Sequence, residues 1–340
     1  MAGYIGARSV SLNATVANAQ DVTATDTTPE VTIINNTHED TDGGREGKVI
    51  FKGQQSGGEE STLAEIQGSH DGTADDEKGD LIFRTNDGSD GASPTTAMII
   101  DSAQNVGINA TPKATHADAD VVRFGGTGYL ANWEDAEVYL SENMYQDTSG
   151  AYKYLTASHA SLYSQTAGKH QFRVAGSGSA DAAITFNTAL EIDNDGIVTK
   201  PLQPAFQANP ASQNNNIGVG TNIEPPFDNE RFDQNGDYDG TNTFTAPVTG
   251  KYQFNCLMYL LNIDSASDYY ELMIATSNKT YYIPVDPGGF AGDLTYYNIT
   301  GSVLADMDAN DTCLIRFRHQ SGTQQTDISA ASNFSGYLVC

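Results

Sequence analysis

The 340-residue chain is long enough for two or three domains, and 44 acidic against 17 basic residues give it a formal charge of −27 with only 18% of residues charged. Such a surface repels phosphate and anionic lipid, which excludes nucleic-acid binding as a main task. Thirty-three Gly, 17 Tyr and 13 Phe beside a single Trp make a turn-rich, aromatic mixture that favours strands, so the expected fold class is all-β.

Residues 1–10 carry Arg8 and no apolar stretch of export-signal length. The longest apolar run, 256–261, falls far short of the ~20 residues needed to span a bilayer, so neither export nor membrane insertion is expected. Residues 1–45 read as a polar lead-in with one strand at 31–34, too poor in apolar residues to order without a partner. From Gly47 the pattern changes to short strands at 48–51, 63–66, 80–84 and 97–100 separated by Gly and Asp turns, which predicts hairpins rather than βαβ units.

The chain then repeats itself. Residues 79–84, a Gly and Ser loop and residues 96–107 form one copy; residues 168–173, a similar loop and residues 188–198 form the other. Phe83-Arg84 recurs as Phe172-Arg173, and Ile100-Asp101 as Ile192-Asp193. Each copy holds too few apolar residues to close a core alone, which predicts cover from neighbouring copies or chains and an elongated oligomer. Eight of the eleven prolines lie from Pro201 onward, marking a boundary near 200. The expected organisation is an anchoring segment over 1–45, β-rich modules over 46–113 and 114–203, and a final domain over 204–340.

The phrase Ala97-Met98-Ile99-Ile100-Asp101-Ser102-Ala103-Gln104-Asn105-Val106-Gly107-Ile108 resembles one that recurs in bacteriophage tail-fibre shafts. Residues 140–198, with Asn143-Met144-Tyr145 and Tyr152-Lys153-Tyr154, resemble another shaft module of the same viruses. In those families the phrase often precedes a self-cleaving chaperone domain; residues after Val198 do not resemble one, so that chemistry is not expected. Gly3-Tyr4-Ile5-Gly6 resembles the start of many phage fibres, which makes Tyr4 and Ile5 candidate virion anchors.

The last 137 residues resemble a second family, the globular head of complement component one, subcomponent q. The matching residues are Pro204 to Ala208, Phe232-Asp233, Asn235 to Asp239, Phe244-Thr245-Ala246-Pro247-Val248-Thr249-Gly250-Lys251-Tyr252-Gln253-Phe254, Gly301 to Leu304, Asn310 to Leu314 and Phe334-Ser335-Gly336-Tyr337-Leu338. Asn310 stands where that family usually has Gly, a change that a turn tolerates because Asn also accepts the left-handed conformation. The resemblance implies a homotrimeric, ten-strand-type jelly-roll sandwich with its terminal strands near the subunit contact. Phe206, Tyr252, Phe254, Phe334 and Tyr337 are then core or trimer-interface candidates. The apolar run 254–263 suits a central strand covered on both faces.

No nucleophile elbow, phosphate loop or zinc-helix motif is present, so neither catalysis nor a catalytic residue is expected. His38, His70, His116, His159, His170 and His319 are scattered singly. Glu59-Glu60 and Asp75-Asp76-Glu77 read as solvated loops. Asp233-x-Asn235-x-Asp237-x-Asp239 resembles the opening of a calcium loop, but Tyr238 replaces its Gly and Phe244 its bidentate Glu, so a hairpin turn is favoured. No resident cofactor or metal is expected from motifs; calcium at an acidic loop or on a trimer axis is the one candidate. Cys256, Cys313 and Cys340 are spaced for neither a disulfide framework nor zinc. The expected function is a viral structural protein: a tail fibre held in the virion by its N-terminus, presenting a trimeric knob to a host receptor, with glycans among the candidates. A head fibre or capsid decoration, and more remotely a secreted adhesin or depolymerase, are the alternatives.

Overall fold

The computed structural model describes residues 32–91, 93–134 and 136–340; Tyr4 and Ile5 lie outside them. The chain divides into two compact units, one ending at Ser102 and one running from Ala103 to Cys340. In the first unit β1 (Gly47–Gln54), β2 (Glu60–His70), β3 (Gly79–Thr85) and β4 (Thr95–Ile100) form an antiparallel meander. The strand expected at 31–34 is not there: residues 32–40 are irregular, and Val31 is outside the described residues. Asn35 supplies the reason, because its Oδ1 accepts from the Thr37 amide at 2.9 Å and its Nδ2 donates to the Glu46 carbonyl at 3.2 Å. A local turn of this kind competes with strand pairing.

The second unit opens with β5 (Val106–Ile108), β6 (Ala119–Phe124), β7 (Gly128–Trp133) and β8 (Glu137–Glu142), then the small hairpin of β9 (Met144–Gln146) and β10 (Tyr152–Tyr154), and continues with β11 (Ser158–Thr166), β12 (Lys169–Gly178), β13 (Asn187–Ile192) and β14 (Val198–Thr199). Strands β5, β6, β7, β8, β11, β12, β13 and β14 are neighbours in that order. β5 pairs in parallel with β6; this pairing ties the residues just after Ser102 to the second module, so the unit boundary lies ahead of the one expected after 113. Val121, Tyr129, Ala131, Tyr139 and Leu162 bury one sheet face against Met144, Tyr145, Tyr154 and Leu155 from the small hairpin and its exit. The second module therefore closes a core of its own, contrary to the expectation from composition. Two strands of three residues are too short to announce themselves by period.

The sequence repeat is a repeat of backbone geometry. Phe83 faces Met98 while Arg84 faces Thr96, so Ala97 is bulged out. Phe172 faces Leu190 while Arg173 faces Thr188, so Ala189 is bulged out at the equivalent place. The left-handed residue of the following Asp turn is Gln104 in one copy (φ 67°) and Gly196 in the other (φ 81°).

The C-terminal domain comprises β15 (Ala205–Asn209), β16 (Asn214–Ile217), β17 (Asn229–Asp233), β18 (Thr243–Thr245), β19 (Gly250–Ile263), β20 (Tyr269–Thr276), β21 (Thr280–Val285), a 3₁₀ turn at Pro287–Gly289, β22 (Leu294–Met307), β23 (Thr312–Gln320), β24 (Thr326–Ile328) and β25 (Asn333–Leu338). A seven-stranded sheet runs β16-β24-β19-β25-β15-β17 with β22 also on β19, and it faces a four-stranded sheet, β18-β23-β20-β21. The chain is thus all-β with a jelly-roll sandwich at its C-terminal end. β19 is central as expected, but its apolar run is not covered on both faces. Tyr252, Phe254, Cys256, Met258 and Leu260 are buried, whereas Leu257, Tyr259 and Leu261 between them are half-exposed, the alternation of an antiparallel sheet with one face on the core. Among the described residues no helix is long and apolar enough to cross a membrane.

Candidate functional site

An aromatic cluster sets the geometry of the sandwich. Phe206 stacks on Tyr238 (4.8 Å between ring centroids) and on Phe244 (5.1 Å), and meets Phe334 edge-on at 4.9 Å. Tyr252 and Phe254 complete it, each fully buried. Of the five aromatic residues singled out in the sequence, Phe206, Tyr252, Phe254 and Phe334 therefore lie in the core of a single chain. Tyr337 does not: it is 48% exposed, on the outward face of β25. Gly336 beside it lets the rings close, since a Cβ there would stand 2.6 Å from Phe254 Cδ1 and 2.8 Å from Phe206 Cε1.

The outward face of the seven-stranded sheet is the candidate site. Period-two alternation puts Gln253, Asn255, Leu257 and Tyr259 of β19 on it. Asn298, Thr300, Ser302 and Leu304 join them from β22, and Asn333, Ser335 and Tyr337 from β25, held in register by the ladders on either side of β19. Within this ladder the face carries no charged side chain. Gln253 Nε2 donates to Ser302 Oγ at 2.9 Å, and that hydroxyl donates to Asn255 Oδ1 at 2.9 Å, so the polar groups in its middle satisfy one another. Charge returns at its margins, where Lys251 pairs with Asp306, Asp327 lies opposite Leu261 and Arg231 lines a groove with Gln207 and Asn333. Leu304 and Tyr296, both nearly three-fifths exposed, were not among the interface candidates named from the sequence.

The acidic segment 233–239 is a turn. Asp233 accepts from the amides of Gly236 (3.1 Å), Asp237 (3.2 Å) and Tyr238 (2.9 Å). Asp239 accepts from those of Thr241, Asn242 and Thr243 at 2.8–2.9 Å. Burial, with Asp233 nearby, raises the Asp237 pKa. Among the described residues no group of three or more His, Cys, Asp or Glu is placed to hold a metal. Burial pushes the thiols of Cys256 and Cys313 upward, away from the reactive thiolate.

Residues 205–339 match the C1q domain family, so the jelly roll with the uncharged sheet face is a C1q domain. No curated protein matches the chain. Among solved structures, the globular domain of zebrafish complement 1qA is similar at 17% identity and a TM-score of 0.30, over 41% of this chain and 98% of that one. The Eiger TNF from S. frugiperda is similar at 11% identity and a TM-score of 0.29, over 41% of this chain and 92% of that one. An exo-β-1,3-galactanase from Phanerochaete chrysosporium aligns with 85% of this chain and 68% of its own at 9% identity, with a TM-score of 0.18; a likeness this faint says nothing about activity.

Proposed function

We propose that the chain is a phage tail-fibre protein whose C1q domain assembles into a homotrimeric knob and recognises the host surface, a role in binding rather than catalysis. The observation that carries the reading is the uncharged outward face of β19, β22 and β25. In a chain of −27, like copies can approach closely only where acids are absent, and three copies around an axis leave their outer loops free for a receptor. The shaft reading is supported by the phrase from Ala97 to Ile108 and by the repeat it belongs to. Residues 1–45 would be the virion anchor.

Two measurements test this. Gold-labelled antibody against the C-terminal domain should decorate the tails of intact virus particles; decoration of the head would reassign the chain to a head fibre, and no decoration would end the virion reading. Purified full-length chain should compete with virus for adsorption to host cells. Leu304→Glu, which puts an acid in the middle of the proposed trimer face, should yield monomeric knobs and lose at least tenfold in competition. A folded L304E chain whose knobs still cross-link to one another would show that the knob contact forms on another face.

A further inference from the structure

The described residues of the first unit form a sheet without a core. Among its described residues Ile82 is the sole hydrophobic side chain that is buried, although one face of the sheet carries an apolar row. Val49, Ile66, Phe83 and Met98 stand side by side across β1 to β4. Phe51, Ala64, Leu81 and Ile100 extend that row on the same face, and none of the face's residues is charged. On the other face Arg84 holds Gln67 at 2.5 Å and Glu65 at 3.5 Å and Ser69 holds Asp80 at 2.5 Å.

The second unit repeats the arrangement at the equivalent strands. Its sheet buries one face under the small hairpin, and on the other face Val122, Leu130, Leu140, Tyr163, Phe172 and Leu190 form one unbroken cross-strand row. Leu140 is 49% and Phe172 48% exposed, and a groove of about 650 Å³ runs beside them. Asp120 and Glu142 are the acids on this face. Phe172 and Leu190 are the repeat partners of Phe83 and Met98, so the apolar row and the bulge beside it recur together.

We propose that these two rows are interfaces between copies of this chain, formed independently of the C1q domain. A sheet needs a second layer over its apolar face, and three features of the rows select a second copy as that layer. The first is charge: with 44 acids in the chain, faces with none and two acids are where like-charged copies can meet. The second is recurrence. A second copy carries the same two rows, so each row can meet its own counterpart, which an unrelated partner would have to match by chance. The third is size. With Val49, Phe51, Ile66 and Leu81 on one row and Leu130, Leu140 and Phe172 on the other exposed, each row presents on the order of 500 Å², the larger part of the ~800 Å² per partner of a standard interface.

The inference shares with the tail-fibre reading only the idea that copies associate, and a cross-linking experiment on the full-length chain separates them. In a Cys340→Ser background, which removes the exposed thiol, Ile66→Cys and Leu140→Cys place single thiols on the two rows, and Asp195→Cys serves as a control in an exposed turn. A short bismaleimide, which joins one thiol of each of two chains, should give covalent dimers through position 66 or 140, at least tenfold more than through 195, and should still do so when Leu304→Glu is added to break the knob. Equal cross-linking at all three positions overturns the proposal. So does a thiol at 66 or 140 that is shielded from a monomaleimide yet never links two chains, since the same chain would then cover its own row. Loss of the cross-links with Leu304→Glu would make the rows passive followers of the knob and overturn their independence.

Discussion

At the scale of single residues, two positions hold the C1q domain together in ways that local pattern does not advertise. Gly336 lies where the rings of Phe206 and Phe254 leave no room for a methyl group. Gly336→Ala should cost roughly 1–3 kcal/mol through overpacking, read as a lowered denaturant midpoint, while Gly289→Ala, with nothing within 4 Å, should leave it unchanged. Asp264 accepts from the amides of Gln324 (2.9 Å), Thr323 (2.7 Å) and Ala266 (2.8 Å), and these bonds hold its pKa below the ordinary 3.8. A carboxyl whose folded pKa lies under its unfolded one contributes its full stability above 3.8 and loses it as pH falls through the folded value. The melting temperature should therefore drop on acidification below 3.8. Asp264→Asn should be about 1–3 kcal/mol less stable at neutral pH and show a shallower acid slope in calorimetry. Identical slopes in the two proteins would assign the acid sensitivity elsewhere. The Phe-Ser-Gly-Tyr string around Gly336 was readable in the sequence; the bonds of Asp264 to Thr323 and Gln324 were not, because they join residues far apart in the chain and leave no periodic trace.

At the scale of elements, the bulge decides which side chains reach the exposed row. Ala189 is the extra residue that lets Leu190 face Phe172 while Thr188 faces Arg173. Its deletion would shift the rest of β13 by one residue and turn Leu190 and Ile192 to the opposite face. A chain lacking Ala189 should keep a folded C1q domain but lose hydrogen-exchange protection in β12 and β13; unchanged protection would mean that the strand restores its register. Much of this level was legible. The strands at 48–51, 63–66, 80–84 and 97–100 all lie within observed strands, and the repeated Thr-Ala before Met98 and Leu190 marks the bulged position. What escaped was cover. Composition predicted that neither module closes a core, yet β9 and β10 provide one for the second, because a hairpin of such short strands is held by packing rather than marked by period. The half-exposed side of β19 escaped for a related reason: a continuous apolar run looks the same whether its second face meets a layer of its own chain or another molecule.

At the scale of the whole molecule, charge sets the conditions for assembly. Three chains at −27 each repel one another, whereas the faces proposed to join them carry few or no charges. The repulsion reaches over a screening length of about 10 Å at 0.1 M salt and about 3 Å at 1 M, while burial of apolar rows is little weakened by sodium chloride. Raising the salt from about 20 mM to about 0.5 M should therefore tighten association and raise the melting temperature, opposite to an assembly held by ion pairs. Sedimentation across a dilution series at each salt concentration measures this directly, and looser assembly at high salt would point to pairs such as Lys251 with Asp306 as the contact. Calcium provides the companion measurement. Asp233 and Asp239 already direct their oxygens to backbone amides, so at matched ionic strength calcium should give the same dissociation constant as sodium. A calcium-specific tightening would place a cation among acids brought together only between chains, and assembly would then depend on neutralising those acids as well as on covering the apolar rows.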